Sequence, residues 1–165
     1  MKKREIKNTL KKPKGPKLCL VCSAGGHLAE ISHLKKCYSK YPHFFITFER
    51  IDTKNLADRE KVYFIEDPSR SPIKFLRSLF QSLRILNKER PSVIMSTGAG
   101  IAVAPCYIGK LIFKSKIIFF ESFCRIEEPS LSARLIYPIA DLFFVQWKDL
   151  LKKYGEKAIY RGSIV

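Results

Sequence analysis

Three short stretches of the chain carry residue types that do chemistry. The first is Cys19-Leu20-Val21-Cys22-Ser23-Ala24-Gly25-Gly26-His27-Leu28. An apolar run ends on a small residue, two glycines follow, and a histidine opens a helical pattern. Glycine lets the backbone turn tightly and lets a ligand approach it closely. The helix that follows aims its free N–H groups and the positive end of its dipole at the turn. Ser23, Gly25 and Gly26 are therefore candidates for holding a phosphate or a sugar diphosphate, although two glycines after a strand also make an ordinary tight turn. His27 stands at that helix start, where a positive dipole end favours the neutral imidazole, the form that accepts a proton. It is a candidate base, with ordering of the loop as the alternative.

The second stretch is Ser96-Thr97-Gly98-Ala99-Gly100, and the third is Glu121-Ser122 with Arg125 close behind. Gly98 and Gly100 would open the backbone to a ligand. Glu121 is the second candidate base, since a carboxylate shielded in a cleft becomes a better proton acceptor. It could equally bind sugar hydroxyls or cap the next turn. Ser122 could contact the same ligand, and Arg125 could pair with Glu121 or take a phosphate. His33 and His43 have no comparable setting. No metal is implied, because Asp52 and Asp58 fall in a charged loop and form no close cluster.

Strands and helices must position these stretches. Strands are expected over about Leu18–Ser23, His43–Phe48, Val62–Ile65, Ser92–Ser96, Lys116–Phe120, Asp141–Gln146 and Ala158–Tyr160. Helices are expected over about His27–Lys40, Pro72–Lys88, Ile101–Phe113, Pro129–Tyr137 and Trp147–Tyr154, with a loop over about Glu49–Glu60. Ser71 and Pro72 read as the cap and first position of the second helix. The alternation of strand and helix predicts an α/β fold: one Rossmann-like parallel sheet with helices on both faces. Ligands of such sheets bind at the carboxyl ends of the strands, where all three stretches fall.

The helix Pro72–Lys88 has two stripes. Ile73, Leu76, Leu79, Phe80, Leu83 and Leu86 share an expected core face. Lys74, Arg77, Arg84 and Lys88 lie broadly opposite, with Phe75 toward the basic side. A solvated face explains this, and so does a helix resting on anionic lipid.

The chain of 165 residues is 46% hydrophobic and carries a net charge of +16. That length suits one domain, read as residues 18–165, after a basic flexible arm over residues 1–17. A chain this basic needs an anionic partner: nucleic acid, a membrane surface or a phosphorylated substrate. No helix-turn-helix, zinc or RNP pattern supports nucleic acid. A nucleotide-dependent Rossmann enzyme would need a third glycine in the first loop and an acid about 20 residues on. Ser23–Leu28 lacks the glycine, although Glu49 sits near the right distance. The five cysteines are read as free thiols in a reducing cytosol, because no secretory signal precedes them. Cys19 and Cys22 are read as buried strand thiols on one side of the first strand. No apolar run approaches the ~20 residues needed to span a bilayer, so a membrane relation is expected to be peripheral.

The second half of the chain resembles a known family. Ser96-Thr97-Gly98-Ala99-Gly100, Phe119-Phe120-Glu121-Ser122-Phe123-Cys124-Arg125, Ser130-Leu131-Ser132-Ala133-Arg134-Leu135-Ile136-Tyr137-Pro138 and Phe144-Val145-Gln146-Trp147 are similar to the ALG-fourteen family. The Gly25-Gly26-His27 loop matches it too, and resembles the loop of the peptidoglycan lipid-linked GlcNAc transferase. The resemblance implies half of a split GT-B glycosyltransferase, corresponding to the N-terminal GT-B domain. It implies transfer of a sugar from a UDP-sugar to a lipid-diphosphate-linked saccharide. The UDP-sugar would bind mainly on a second glycosyltransferase subunit, with no cofactor held here. The polyprenyl-diphosphate-linked acceptor and an anionic membrane surface would meet this chain, at the cytoplasmic face of the membrane. Eukaryotic members begin with a membrane-spanning helix, where this chain has basic residues. That favours the bacterial branch, which makes capsule and exopolysaccharide. Ile159-Tyr160 and Ile164-Val165 are a candidate docking edge for the partner.

Overall fold

Leu18–Val21 (β1) is four apolar residues in a row, and all four are buried. A strand of this kind needs cover on both faces, which parallel sheets supply. The computed structural model describes residues 15–69 and 71–165. Residues 1–14 of the arm expected over residues 1–17, and Arg70, lie outside them. Seven strands form one all-parallel sheet: β1, His43–Thr47 (β2), Val62–Phe64 (β3), Val93–Ser96 (β4), Lys116–Phe120 (β5), Leu142–Val145 (β6) and Ala158–Tyr160 (β7). Their order is β3-β2-β1-β4-β5-β6-β7. The order reverses at β1, so the crevice of the fold opens between the carboxyl ends of β1 and β4. The expected α/β class is the one found.

The helices are Gly26–His33 (α1), Lys35–Tyr38 (α2), Ile51–Ala57 (α3), Pro72–Glu89 (α4), Val103–Leu111 (α5), Leu131–Ile136 (α6) and Asp149–Tyr154 (α7), with a 3-10 turn over Gly100–Ala102. Two apolar clusters fill the two sides of the sheet. Leu18, Leu20, Cys22 and Phe45 pack with Ile31 and Tyr38 of α1 and α2. Cys19, Val21, Phe44 and Phe119 pack with Leu86, Cys106 and Ile136 of α4, α5 and α6. Cys19 and Cys22 thus lie on opposite faces, correcting the single side expected for them. A step of three residues along an alternating strand crosses the sheet. Burial pushes the Cys22 and Cys106 thiols up to about 12, with Asp52 adding to the effect at Cys22.

Two further expectations are corrected. The stretch read as a loop from Glu49 is largely α3. Its start is closed by Thr53, whose hydroxyl accepts from the Arg50 amide at 2.8 Å. Lys17 belongs to the domain rather than to an arm, since its ammonium binds Glu89 and its carbonyl accepts from Ser92.

Helix α4 turns a different face inward from the one its leucines suggest. Ser78, Ser82, Leu86 and Glu89 are buried. Ile73, Leu76 and Phe80 are 67%, 53% and 57% exposed. Helix α4 packs against α5, and the buried serine hydroxyls are satisfied on the Phe75 and Ser78 carbonyls at 2.8 and 2.7 Å. With about 100° per residue, Ile73, Leu76 and Phe80 form an outward apolar band. Arg77, Arg84 and Lys88 run beside it, with Lys74 beyond. Helix α5, apolar almost all round, buries Ala104, Pro105, Cys106, Ile108 and Gly109. Among the described residues no helix is long and apolar enough to cross a membrane.

At the opposite end of the sheet, Glu89 accepts from Lys61 at 2.7 Å, Lys17 at 3.1 Å and Tyr63. Burial pushes its carboxyl up, and those donors outweigh it, bringing it from 4.5 down to about 2. Asp141 goes the same way, to about 2: its burial is outweighed by Lys110, the Ile117 amide and Lys116. A carboxyl lowered by folding adds stability above its ordinary value and loses it as pH falls through the lowered one. Stability is therefore expected to fall from about pH 4.5 toward pH 2. In urea titrations across that window, Glu89→Gln should start less stable and show a shallower pH slope.

Candidate functional site

The crevice between β1 and β4 deepens into a cleft of about 670 Å³. Its floor is polar, with Gly26, His27, Glu30, Ser122 and Ser130. Arg125 and Cys124 stand on one side, and Phe75, Val103, Leu131 and Leu135 make an apolar wall. Leu131 is 74% exposed, so the wall runs out onto the surface. Phe75 therefore faces the cleft, not the basic side of α4 where the helical spacing put it.

The first loop is held by its own chain. Gly25 turns at φ +78°, and its N–H donates to Asp52 Oδ2 at 2.6 Å. A carboxylate of this protein already occupies one amide of the turn read as a phosphate site. Ser23 and Gly25 support the loop and do not line the cleft. Ser23 Oγ donates only to the neighbouring Ala24 carbonyl, at 3.3 Å. Gly26 does line it, and a side chain there would meet nothing within 4 Å.

The second loop fixes His27 from behind. Thr97 Oγ1 donates to the His27 carbonyl at 2.8 Å. Gly98 adopts φ +115°, and a methyl group on it would lie 3.2 Å from His27 Cε1. Gly98→Ala is expected to cost about 1–3 kcal/mol through its backbone alone. It should also displace the imidazole, which histidine side-chain NMR of the variant would register as a shifted His27 signal. Ala99 also sits at positive φ, +73°, while Gly100 does not. Gly100 lines the cleft, and a methyl group on it would meet only Pro68, at an ordinary 3.8 Å.

Glu121 lies under the third loop, not in the cleft. It is 1% exposed. Oε1 accepts from the Ser122 amide at 2.9 Å and from Ser130 Oγ at 2.9 Å. Oε2 accepts from the Ser130 amide at 3.0 Å and from the Tyr154 hydroxyl. Four donors leave this carboxylate no free lone pair to aim at a ligand. It ties β5 to the start of α6 and to α7, which corrects its reading as a candidate base. Arg125 accordingly does not pair with it and is left exposed at the cleft rim.

The carboxylate that does face the cleft is Glu30, 5% exposed. Oε1 accepts from Ser122 Oγ at 2.8 Å and from the Phe123 amide at 3.1 Å. The spacing His27-x-x-Glu30 puts both side chains on one side of α1, a signal available in the sequence and passed over there. Ser130 and Ser132 were also missed. Among the described residues no three His, Cys, Asp or Glu side chains converge as a metal site would require.

The structure thus brings Gly26, His27, Gly100, Ser122 and Arg125 together, with Ser23, Gly25, Gly98 and Glu121 behind them. Lys74, Arg77, Arg84 and Lys88 are exposed on α4, outside the cleft.

Known proteins resemble this chain in fold and in sequence. The UDP-N-acetylglucosamine 2-epimerase of Rickettsia bellii superposes with a TM-score of 0.74 at 12% identity, over 92% of this chain and 46% of that one. Acinetobacter baumannii MurG does so with a TM-score of 0.71 at 11% identity, over 90% and 45%. This chain spans about half the length of those structures, and the likeness establishes the fold. In sequence, the human UDP-N-acetylglucosamine transferase subunit ALG14 is 26% identical over 90% of this chain and 82% of its own. The Yarrowia lipolytica subunit of that name is 28% identical over 93% and 83%. The Schizosaccharomyces pombe one reaches 41% over 45% of this chain and 37% of its own. The model of the family described as "oligosaccharide biosynthesis protein Alg14 like" matches residues 64–164, more than half of the chain and most of the elements that build the cleft. With the single parallel sheet and its cleft at the β1–β4 switch, that match makes this chain a member of the Alg14-like family.

Proposed function

We propose that this protein is the acceptor-binding, membrane-associating subunit of a two-component glycosyltransferase. The observation that carries the reading is the two-sided cleft. A polar floor with His27, and Arg125 at its rim, meets an apolar wall that runs out to the surface at Leu131. A substrate with a sugar diphosphate at one end and a polyprenyl chain at the other matches both halves. The outward band of Ile73, Leu76 and Phe80, beside Arg77, Arg84 and Lys88, suits a membrane surface. Apolar side chains dip among acyl chains while cations stay with anionic headgroups.

In the reaction, the acceptor hydroxyl forms a bond to the anomeric carbon of the donor sugar. The bond from that carbon to UDP breaks, and UDP leaves with the electron pair. The hydroxyl proton passes to His27, and the Arg125 guanidinium takes a phosphate of the acceptor. One domain of this size holds one side of such a reaction. The UDP-sugar is expected on a second chain, with edge strand β7 and Ile164-Val165 as the candidate docking edge. Capsule or exopolysaccharide assembly on the cytoplasmic face of a bacterial membrane is the setting that the basic chain and the lipid-tailed substrate favour.

The test uses membranes carrying the lipid-linked acceptor and radiolabelled UDP-GlcNAc, with each subunit alone and both together. Transfer is expected with both. Full transfer by this chain alone would sink the split-subunit reading. For the membrane surface, sedimentation with vesicles containing anionic lipid should fall several-fold when Ile73, Leu76 and Phe80 are replaced by serine. Unchanged binding would return α4 to an ordinary solvated helix.

A further inference from the structure

Two polar atoms in the cleft are sealed from solvent and have no hydrogen-bond partner: His27 Nδ1 and Glu30 Oε2. They face each other across 3.9 Å. A buried donor or acceptor left unpaired is costly, so two such atoms side by side ask for an explanation. A small rotation of the imidazole brings them within hydrogen-bond range. The rest of the Glu30 carboxylate is not free to move away, because Oε1 is held by Ser122 Oγ and the Phe123 amide.

We infer that Glu30 is a positioning residue that sets the tautomer of His27. A carboxylate oxygen only accepts. Paired with Oε2, Nδ1 must therefore carry the hydrogen, and Nε2 is left with its lone pair. Nε2 is also the ring nitrogen that is not sealed, so the lone pair is offered on the cleft side. When the acceptor hydroxyl releases its proton to Nε2, the imidazolium that forms is stabilised by the carboxylate at Nδ1. Glu30 touches no substrate atom. It acts through His27, as carboxylates that accept from the far ring nitrogen of other functional histidines do. The pair spans the two loops of the cleft, since Ser122 and Phe123 follow β5 while His27 and Glu30 start α1. Docking of these loops and the orientation of the base are therefore one event. This inference rests on the reading of His27 as the proton acceptor of the cleft.

Glu30→Gln tests it sharply. Glutamine keeps a carbonyl oxygen for Ser122 Oγ and the Phe123 amide. It puts an NH₂ group where Oε2 was, and that group donates to Nδ1 and drives the hydrogen to Nε2. Long-range ¹⁵N–¹H spectra of the ¹⁵N-labelled full chain, at alkaline pH where imidazoles are neutral, read the tautomer directly. The His27 signals are identified by their loss in His27→Gln. Wild type should show the Nδ1–H pattern and Glu30→Gln the Nε2–H pattern. With the partner subunit, Glu30→Gln should lower kcat at least 10-fold and leave the KM for the UDP-sugar within twofold. An Nε2–H pattern in wild type overturns the inference, whether or not the variant folds. So does an unchanged tautomer or an unchanged kcat in the variant. If the tautomer switches but the wild-type pair transfers no sugar, the proposed reaction fails and the assignment of Glu30 stands.

Discussion

Replacing His27 with alanine is expected to lower sugar transfer by the two-subunit assembly by about 10²–10⁴-fold. The loss should fall on kcat, with the KM for the UDP-sugar little changed, because the donor is expected on the other chain. The folded domain should survive. His27 is only partly buried, and its carbonyl bond to Thr97 is made by the backbone and persists in alanine. Steady-state transfer with the purified pair, normalised to complex formation measured by co-purification, checks this. Wild-type turnover in His27→Ala would remove His27 as the base and leave loop ordering as its role. A stable variant that no longer associates with its partner would place the effect in assembly instead.

Glu121→Ala is expected to destabilise the domain by about 3 kcal/mol, because it strands the buried Ser122 amide and the part-buried donors at the Ser130 amide, Ser130 Oγ and Tyr154. For a domain of this size that is a fall in Tm of roughly 6–12 °C. Tyr154→Phe removes one of the four donors and should cost less, about 1 kcal/mol. A framework carboxylate predicts this order in thermal melts, and it predicts residual transfer by whatever fraction remains folded. A Glu121→Ala domain that melts like wild type yet transfers no sugar would restore Glu121 as a reacting group.

These two residues also show where reading the chain succeeded and where it stopped. His27 was legible because everything that places it is local: an apolar strand, two glycines and a helix start within ten residues. Glu121 was assigned to the wrong task because its donors come from Ser130 and Tyr154, 9 and 33 residues away. Glu30 was passed over for the same reason, since Ser122 lies 92 residues from it. On α4, the cap Ser71-Pro72 and the length of the helix followed from local signals. The inward face did not. Helical spacing marks an apolar stripe, but it does not say which side a neighbouring helix will approach. There α4, packed against α5, buries Ser78 and Ser82, and Ile73, Leu76 and Phe80 are left facing out. The stretch from Glu49 read as a loop because its charge hides the periodicity, while its helix start depends on the Arg50–Thr53 cap.

Chain order and hydrophobic periodicity were enough for the parallel α/β sheet and for the three loops at the carboxyl ends of its strands, while the resemblance to the Alg14-like family lay in the particular residues of four short motifs. The sheet and its loops rest on interactions between residues near in sequence, and on the rule that alternating strands and helices wind into one sheet. Which carboxylate faces the cleft, which turn amide is already filled by Asp52, and which side of α4 meets solvent were decided only by the tertiary structure. Each depends on hydrogen bonds and packing between distant segments. A carboxylate with four donors is part of the framework, and one with an open oxygen beside an imidazole is part of the site.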